Sequence, residues 1–460
     1  MDSRIALYSV GRPCPWLKSP NFGLLHIAAH LQKELGVDPA DILYVDQPAG
    51  DDVIEKLSSV PWNVLGVSAL SVTAHELNTI APEILKRWPE RPSVLGGIHV
   101  SALPEIALRQ SGIPWAVIGN GELAFARIVR GIREDGAVPR STPGLAWMEE
   151  ATLRTSGISA QSIEDLDSLP PLPLQLLNRK YYFENLVVLH GTNIPALPWT
   201  TSRGCGFRCR FCAVNVTCRE GSRYQSAARV LDDMERLVRE YGVPAVSFQD
   251  DNLADNRPRL IEICEGMQKR SALSGMRWAC NLRADRVDED LLALMKKAGC
   301  VQIAFGFESG SQRVLRYLKK GTITVDDARK AVAACKKVGI RSMGTFIVGS
   351  PSETREEVLE TFAFIHENPI DFVLAFTATP SPGSEFWDLA VERGIIDPDT
   401  IDWRNLIFDQ RPMLADAVDP EWLYRRYKLE YVRFALRDYS LPVFIKRVLL
   451  AAWNRLIVRA

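Results

Sequence analysis

Short apolar runs alternate with amphipathic stretches along the front of the chain. "RIALYSV" (4–10), "ILYVD" (42–46), "WNVLGVSA" (62–69), "SVLGG" (93–97) and "WAVIG" (115–119) have the length and β-branched content of buried parallel strands. Between them lie helical patterns such as "HELNTIAPEILKRW" (75–88). This alternation predicts an α/β fold that begins with a doubly wound, Rossmann-like sheet. Such sheets bind ligands beyond the carboxyl ends of their strands. Small or flexible residues stand at those ends: Ser68-Ala69-Leu70-Ser71, Gly96-Gly97 and Gly119-Asn120-Gly121-Glu122. Glycine there lets a bulky ligand approach the backbone. No G-x-G-x-x-G occurs, so a nicotinamide-binding sheet lacks its fingerprint.

The pattern breaks over 137–196, where "EDLDSLPPLPLQLL" (164–177) is proline-rich and acidic and predicts a linker draped over the surface. It resumes with "LPWTTSR" (197–203), "AVSFQDD" (245–251), "RWACNLR" (277–283), "VQIAFGFE" (301–308), "RSMGTFIVG" (341–349) and "DFVLAFTAT" (371–379). Helical patterns such as "SAARVLDDMERLVREYG" (226–242) fill the gaps. Six such units predict a partial (β/α)6, TIM-like barrel, whose catalytic groups sit where strands give way to loops. The expected division is a doubly wound domain at 1–136, a linker at 137–196, the barrel at 197–390 and a mainly helical extension at 391–460. Residues 421–460 hold nine Lys/Arg against three Asp/Glu. The apolar "LPVFIKRVLLAAWNRLIVRA" (441–460) reads either as a helix packed on the barrel or as one resting on an anionic membrane surface.

Composition narrows the function classes. A chain of 460 residues suits two or three domains. A net charge of −1 excludes a polycation built for nucleic acid, and the basic residues near the C-terminus lack interleaved stacking aromatics. The first residues do not read as a secretory signal, and no run of about 18 apolar residues predicts a spanning helix. The expected location is cytoplasmic, with membrane association only through the C-terminal segment. In a reducing compartment, clustered cysteines bind metal or do chemistry more often than they form disulfides.

"TSRGCGFRCRFCAVN" (201–215) is such a cluster, with Cys205, Cys209 and Cys212 within eight residues. A 4Fe-4S cluster normally takes four thiolates; three leave one iron open to a substrate or cofactor. Two alternatives stay open: a zinc knuckle closed by Cys218, and a structural cluster with the same fourth thiolate. Arg203, Arg208 and Arg210 either favour an anionic thiolate–sulfide centre or are solvated charge.

The motif C-x-x-x-C-x-aromatic-C, with Phe211 as the aromatic, placed after the first barrel strand, closely resembles the signature of radical S-adenosylmethionine (SAM) enzymes. That resemblance implies a 4Fe-4S cluster on Cys205, Cys209 and Cys212 as the catalytic thiolates. SAM would chelate the open iron, and an electron from a flavodoxin or ferredoxin would cleave it to a 5′-deoxyadenosyl radical. It also implies SAM contacts along the strand ends. Phe211 would line the adenine site. Gln249 and Asp250 in "FQDDN" would lie at the amino group, Glu308 in "FGFESGSQRVL" near the ribose, and Gly349 in "FIVGSPSET" beside the adenine. Arg283 would face SAM or substrate, with a barrel-mouth salt bridge as its other role. Asp250, its neighbour Asp251 and Glu308 have helix capping as theirs.

The front domain, with "LGGIHVSALPE" (95–105), resembles the cobalamin-binding, methyltransferase-like subgroup of that family. The corrinoid contacts implied are Ser68, Leu70, Ser71, Gly96, Gly97, His99, Gly119, Gly121 and Glu122. Asn120 departs from the subgroup's Gly-Glu-Gly-Glu. None of the six histidines (26, 30, 75, 99, 190, 366) follows the D-x-H-x-x-G pattern, so cobalt lacks that lower ligand, which favours methyl transfer. The expected activity is methylation of an unactivated carbon of a small molecule, lipid or peptide in biosynthesis, through the adenosyl radical and methylcobalamin. The alternatives are cyclisation, ring rearrangement or oxidation without net methyl transfer, and, from another class, a zinc- or cluster-stabilised binding protein.

Overall fold

Five parallel strands open the chain: β1 (Ile5–Ser9), β2 (Ile42–Asp46), β3 (Val64–Ser68), β4 (Ser93–Gly96) and β5 (Trp115–Val117). In this computed structural model, residues 4–13, 18–218, 221–406 and 411–438 are described. Helices α1 (Phe22–Leu35), α2 (Val53–Ser58), α3 (Ala74–Arg87), α4 (Ile98–Ala102), α5 (Pro104–Ser111) and α6 (Glu122–Asp135) connect and follow the strands. The strand order begins β2-β1-β3-β4-β5, so the winding direction reverses between β1 and β3. Both faces of the central strands are covered: Tyr8, Leu65, Val67 and Leu95 are all buried. Buried apolar runs and no alternation are what a parallel sheet demands.

The stretch expected as a linker does more than link. Strands β6 (Leu145–Glu149) and β7 (Thr152–Thr155) form a hairpin that pairs antiparallel with β5 and brings the sheet to seven strands. The proline-rich segment 164–177 is pinned as well as draped. Leu166, Leu169, Leu172, Leu174 and Leu177 are buried. Helix α7 (Ala227–Tyr241) reaches it through Arg229 Nη1 to the Leu169 carbonyl and Arg236 Nη1 to the Leu172 carbonyl, both 2.8 Å.

The chain divides into two compact units, 1–187 with 195–276 and 380–407, and 188–194 with 277–379 and 408–460. Beyond the short strand β8 (Val187–Val188), the first unit also holds β9 (Pro195–Trp199), β10 (Ser202–Arg203), β11 (Arg223–Tyr224), β12 (Ala245–Phe248) and α8 (Arg257–Lys269). β9 runs parallel to β12, with Leu197 opposite Val246. The expected strand 197–203 breaks at Thr200–Thr201, and its tail pairs antiparallel with β11.

The second unit contains the parallel ladder β13 (Arg277–Leu282), β14 (Cys300–Glu308), β15 (Arg341–Val348) and β16 (Phe372–Thr377). Its helices are α9 (Glu289–Lys297), α10 (Gln312–Lys319), α11 (Val325–Val338) and α12 (Arg355–Glu367). Thr324 with Asp327 and Thr354 with Glu357 form capping boxes at α11 and α12, satisfying N–H groups that a helix start leaves unpaired. Helix α13 (Glu385–Glu392) belongs to the first unit and α14 (Pro420–Asp438) to the second. The buried Glu430 of α14 gathers Arg426 at 2.7 Å, Arg433 at 2.9 Å and His366 of α12 at 2.8 Å. Among the described residues no helix is long and apolar enough to cross a membrane. The segment 441–460, expected to rest on the barrel or a membrane, lies outside the described residues.

Candidate functional site

The three thiols ride on one loop just beyond β10. Cys212 N donates to the Cys209 carbonyl at 3.1 Å, and Asn215 Nδ2 to the Phe207 carbonyl at 3.1 Å, closing the loop on itself. All three cysteines, and Phe211, are partly exposed. Burial pushes the Cys212 thiol up to about 11 and the Cys205 thiol upward, so both are protonated at neutral pH and must release protons to ligate metal. Cys218 is buried instead. Among the described residues no three His, Cys, Asp or Glu groups are gathered around a single-ion position. An iron–sulfur cube makes a different demand, because each thiolate holds its own corner.

Two of the three arginines expected to attend the thiols are engaged elsewhere. Arg210 pairs with Glu385 of α13 at 2.5 Å, and its carbonyl accepts from Phe386 N at 3.2 Å. Arg203 is drawn to Glu122 at 2.5 Å, because a buried carboxylate needs a partner more than a half-exposed thiol does. Arg208 stays exposed.

Asp250 is 1% exposed and works as a brace. Its carboxylate accepts from Thr201 N at 3.2 Å, from Thr201 Oγ1 at 2.8 Å and from Ser202 Oγ. Arg259 donates to the same Thr201 Oγ1 at 2.6 Å. The end of β12 is thereby tied to the exit of β9. Gln249 folds back, Nε2 to Ser247 Oγ at 2.8 Å. Asp251, weighed beside Asp250 in the sequence, takes the outward position of the pair. The residue is exposed but its carboxyl borders the cavity described below, and partial desolvation there, with help from Asp250, pushes that carboxyl up to about 6. The signal for it was the period of two along β12: Val246, Phe248 and Asp250 are buried, while Gln249 and Asp251 face out.

Three expected SAM contacts fall in the second unit. Arg283, 5% exposed, takes the salt-bridge role, with Asp285 at 3.0 and 3.2 Å and the Thr322 carbonyl at 3.1 Å. Glu308 ends β14 with φ +64°, a region that costs a non-glycine residue on the order of 1–3 kcal/mol, and pairs with buried Lys319 at 2.9 Å. Gly349 has φ +80°, and a Cβ there would lie 2.7 Å from Pro412 Cβ. Its N–H donates to the buried Glu353 carboxylate at 2.6 Å.

The ends of β3, β4 and β5 open into a cavity of about 390 Å³. Six of the nine residues expected there line it: Ser68, Gly96, Gly97, Gly119, Gly121 and Glu122. Gly97 has φ +93°, and a Cβ would meet the Ala69 carbonyl at 2.6 Å, so only glycine fits this turn. Leu70, Ser71 and His99 stand outside the cavity. Leu70 is 52% exposed. His99 is fully buried on α4, its Nδ1 3.2 Å from Ser71 Oγ and its ring edge-on to Trp403 at 4.7 Å. The turn at Gly97 starts α4 at Ile98, which points His99 away from the crevice. Trp403 is itself fixed by Nε1 to Gln110 Oε1 at 2.8 Å. The cavity's far wall comes from beside the thiol loop: Thr200 to Arg203, Val214, Thr217, Cys218 and Asp251. One cavity therefore touches both the front sheet and the segments that flank the cysteines.

The Radical SAM superfamily model matches residues 199–365, and the B12 binding domain model matches residues 14–129. Over 420 residues the chain is 30% identical to the uncharacterized methyltransferase PH0819 of Pyrococcus horikoshii, covering 91% of this chain and 88% of that protein. The chain belongs to the cobalamin-dependent radical SAM family. Another relative is the anaerobic magnesium-protoporphyrin IX monomethyl ester cyclase of Cereibacter sphaeroides, 30% identical over 348 residues, of which the chain spans about half the length (54%, and 73% of this chain). Among solved structures, the radical SAM methyltransferase TsrM of Kitasatospora setae aligns with a TM-score of 0.68 and 19% identity over 85% of this chain and 75% of that one. At that identity the likeness speaks for the fold: a doubly wound sheet, then a partial barrel, then a helical C-terminal part. As a radical SAM enzyme with a cobalamin domain, the protein uses a 4Fe-4S cluster, SAM and cobalamin. The residues present fit these groups. Three thiols on one self-closed loop suit a cube with a free corner, and the glycine cradle of the cavity suits a bulky planar ligand close to the backbone.

Proposed function

We propose that the protein methylates an unactivated carbon of a small molecule, with the division of labour that the sequence suggested: corrinoid binding within 1–136, a connecting segment, a radical core within 197–390 and a helical extension after it. The observation that carries this reading is the single cavity bounded by the strand ends of the front sheet and by Thr200–Arg203 and Cys218 beside the thiol loop. Methyl donor and radical source need to face one enclosed space, since a primary carbon radical formed in open water would abstract from wrong donors.

In this reading Cys205, Cys209 and Cys212 hold the cluster, and Phe211 lines the adenine pocket. Asp251, open to the cavity, receives the cationic amino group of SAM, while Gln249 shapes the strand end beside it. Glu308 and Gly349, within the second unit, keep the SAM-contact roles that the resemblance implies. Arg283 and Asp250 support these strand ends through their own hydrogen bonds. Ser68, Gly96, Gly97, Gly119, Gly121 and Glu122 form the corrinoid cradle. When bound, SAM on a reduced cluster supplies a 5′-deoxyadenosyl radical and the corrinoid supplies a transferable methyl group. The chain's own contribution is orientation, exclusion of water and fixed charge. A flavodoxin- or ferredoxin-type donor delivers the electron; a lipid or peptide substrate, and membrane contact through 441–460, are alternatives that the sequence leaves beside the small molecule.

The cyclase relative gives the second reading, radical oxidation or ring closure without net methyl transfer. One assay separates them. Reconstituted enzyme, candidate substrate and SAM deuterated in its methyl group should give labelled product together with 5′-deoxyadenosine. Deoxyadenosine with an altered but unlabelled product would establish the second reading and end the first.

A further inference from the structure

Helix α14 carries apolar side chains on two opposite faces, and its packing uses one of them. Leu423, Tyr427, Glu430 and Phe434, spaced by four, three and four residues, are all buried. Tyr427 donates its hydroxyl to the Ala375 carbonyl of β16 at 2.9 Å, and the Phe434 ring lies 6.3 Å from that of Phe362 on α12. A surface helix docked in this way carries polar residues on its other side. Here Leu429, Val432 and Leu436, at i, i+3 and i+7, form an outer stripe with Tyr431 at its margin, and all four are between 43% and 52% exposed. With about 3.6 residues per turn, this stripe lies on the far side of the helix from the buried one. Its side chains therefore have no part in holding the helix down.

Cations surround the stripe. Arg425, Lys428, Arg433 and Arg437 are exposed. Between 422 and 437 the only side-chain carboxylate is that of Glu430, which is buried and already gathers Arg426, Arg433 and His366. An apolar stripe among Lys and Arg, with Tyr at its margin, is the pattern of a helix lying in a membrane interface. We propose that the outer face of α14 docks on an anionic lipid surface, with Leu429, Val432 and Leu436 at the acyl boundary and the surrounding cations among the headgroups. A second copy of the chain is the poorer occupant. A two-fold contact sets a face against itself, and here that means cation against cation. Residues 441–460 are no better matched as a cover, since they hold four Lys/Arg and no Asp or Glu. The inference concerns where the protein works and is independent of the reaction assigned to it.

The test uses the full chain in flotation with phosphatidylcholine vesicles, with and without phosphatidylglycerol. Wild type should favour the anionic vesicles by about tenfold or more, and the preference should shrink as salt screens it. Leu429→Ser/Leu436→Ser should weaken binding to anionic vesicles by at least about tenfold, because it removes apolar area from the contact. Arg425→Gln/Lys428→Gln should weaken it too and flatten the salt dependence. Both variants should melt as wild type does, since the substituted side chains face outward. Undiminished binding in Leu429→Ser/Leu436→Ser would place the contact elsewhere, 441–460 included, and overturn the proposal. Equal binding of wild type to both kinds of vesicle, or to neither, would do the same. So would a lower melting temperature in Leu429→Ser/Leu436→Ser, which would show the stripe to be packed within the molecule. Sedimentation without lipid covers the remaining occupant: a wild-type dimer that Leu429→Ser/Leu436→Ser dissociates would assign the face to a second copy instead.

Discussion

Glu122 and Arg203 meet at 2.5 Å inside the wall of one cavity, the carboxylate from the start of α6 and the guanidinium from β10. Burial alone would raise the Glu122 carboxyl. The Arg203 guanidinium, by its charge and its hydrogen bond, reverses this and holds it below its usual range. Removing one member of a buried pair leaves the other uncompensated, at a cost of about 3–5 kcal/mol. Arg203→Met should therefore lower stability by that order in chemical denaturation, and the double variant Glu122→Gln/Arg203→Met should regain much of it. Equal damage in the single and double variants would show the pair to be incidental.

Two buried histidines set an acid limit on the apoprotein. Burial lowers His26 to about 3 and His99 to about 4, against an unfolded value near 6.5. Below pH 6.5 the unfolded chain takes up these protons and the native chain does not, so stability present above pH 6.5 falls as pH drops toward the folded values. Each unit of difference is worth about 1.4 kcal/mol per group. His99→Phe should flatten the stability profile between about pH 6.5 and 4 in denaturant titrations; an unchanged slope would contradict the assignment.

Neighbouring aspartates should fail in different ways. Asp250→Asn weakens the brace on Thr201 and Ser202 and should show as a lower melting temperature, with SAM affinity in the folded fraction little changed. Asp251→Asn should leave melting nearly unaltered and weaken SAM binding by about tenfold, or about 1.4 kcal/mol. Isothermal titration on cluster-loaded protein distinguishes the two, and the reverse pattern would exchange their roles.

The thiol loop predicts a third pattern. Any one of Cys205→Ala, Cys209→Ala and Cys212→Ala should reduce bound iron from about four per chain to a small fraction and bleach the visible cluster band. Cys218→Ala should retain the iron. Loss of iron in Cys218→Ala would favour a closed, four-thiolate centre.

Much of this architecture was legible in the chain. All eleven strands expected from apolar runs appear, because parallel strands buried on both faces leave an unambiguous mark in sequence. The β6–β7 hairpin escaped notice: "LAWME" and "TLRT" are short, half-exposed and mixed in character, and pairing with β5 decides their conformation. Glycine-rich strand ends located the cavity, since Gly97 needs its positive φ whatever the tertiary context. His99 was misplaced because spacing after a Gly-Gly pair does not reveal which way a new helix turns. Arg203 was misassigned because its partner, Glu122, lies 81 positions earlier in the chain; only the fold brings them together.

The hairpin and the leucine belt after it bear on how this protein can be cut apart. A fragment ending at residue 136 would leave the backbone of β5 without its antiparallel neighbour, an open seam that invites other chains to add on. It would also lack the five leucines between 166 and 177 and the arginine contacts that moor them. Dissection at the apparent linker should yield insoluble material, whereas severing the chain elsewhere within the first unit would sacrifice part of its own wall around the cavity.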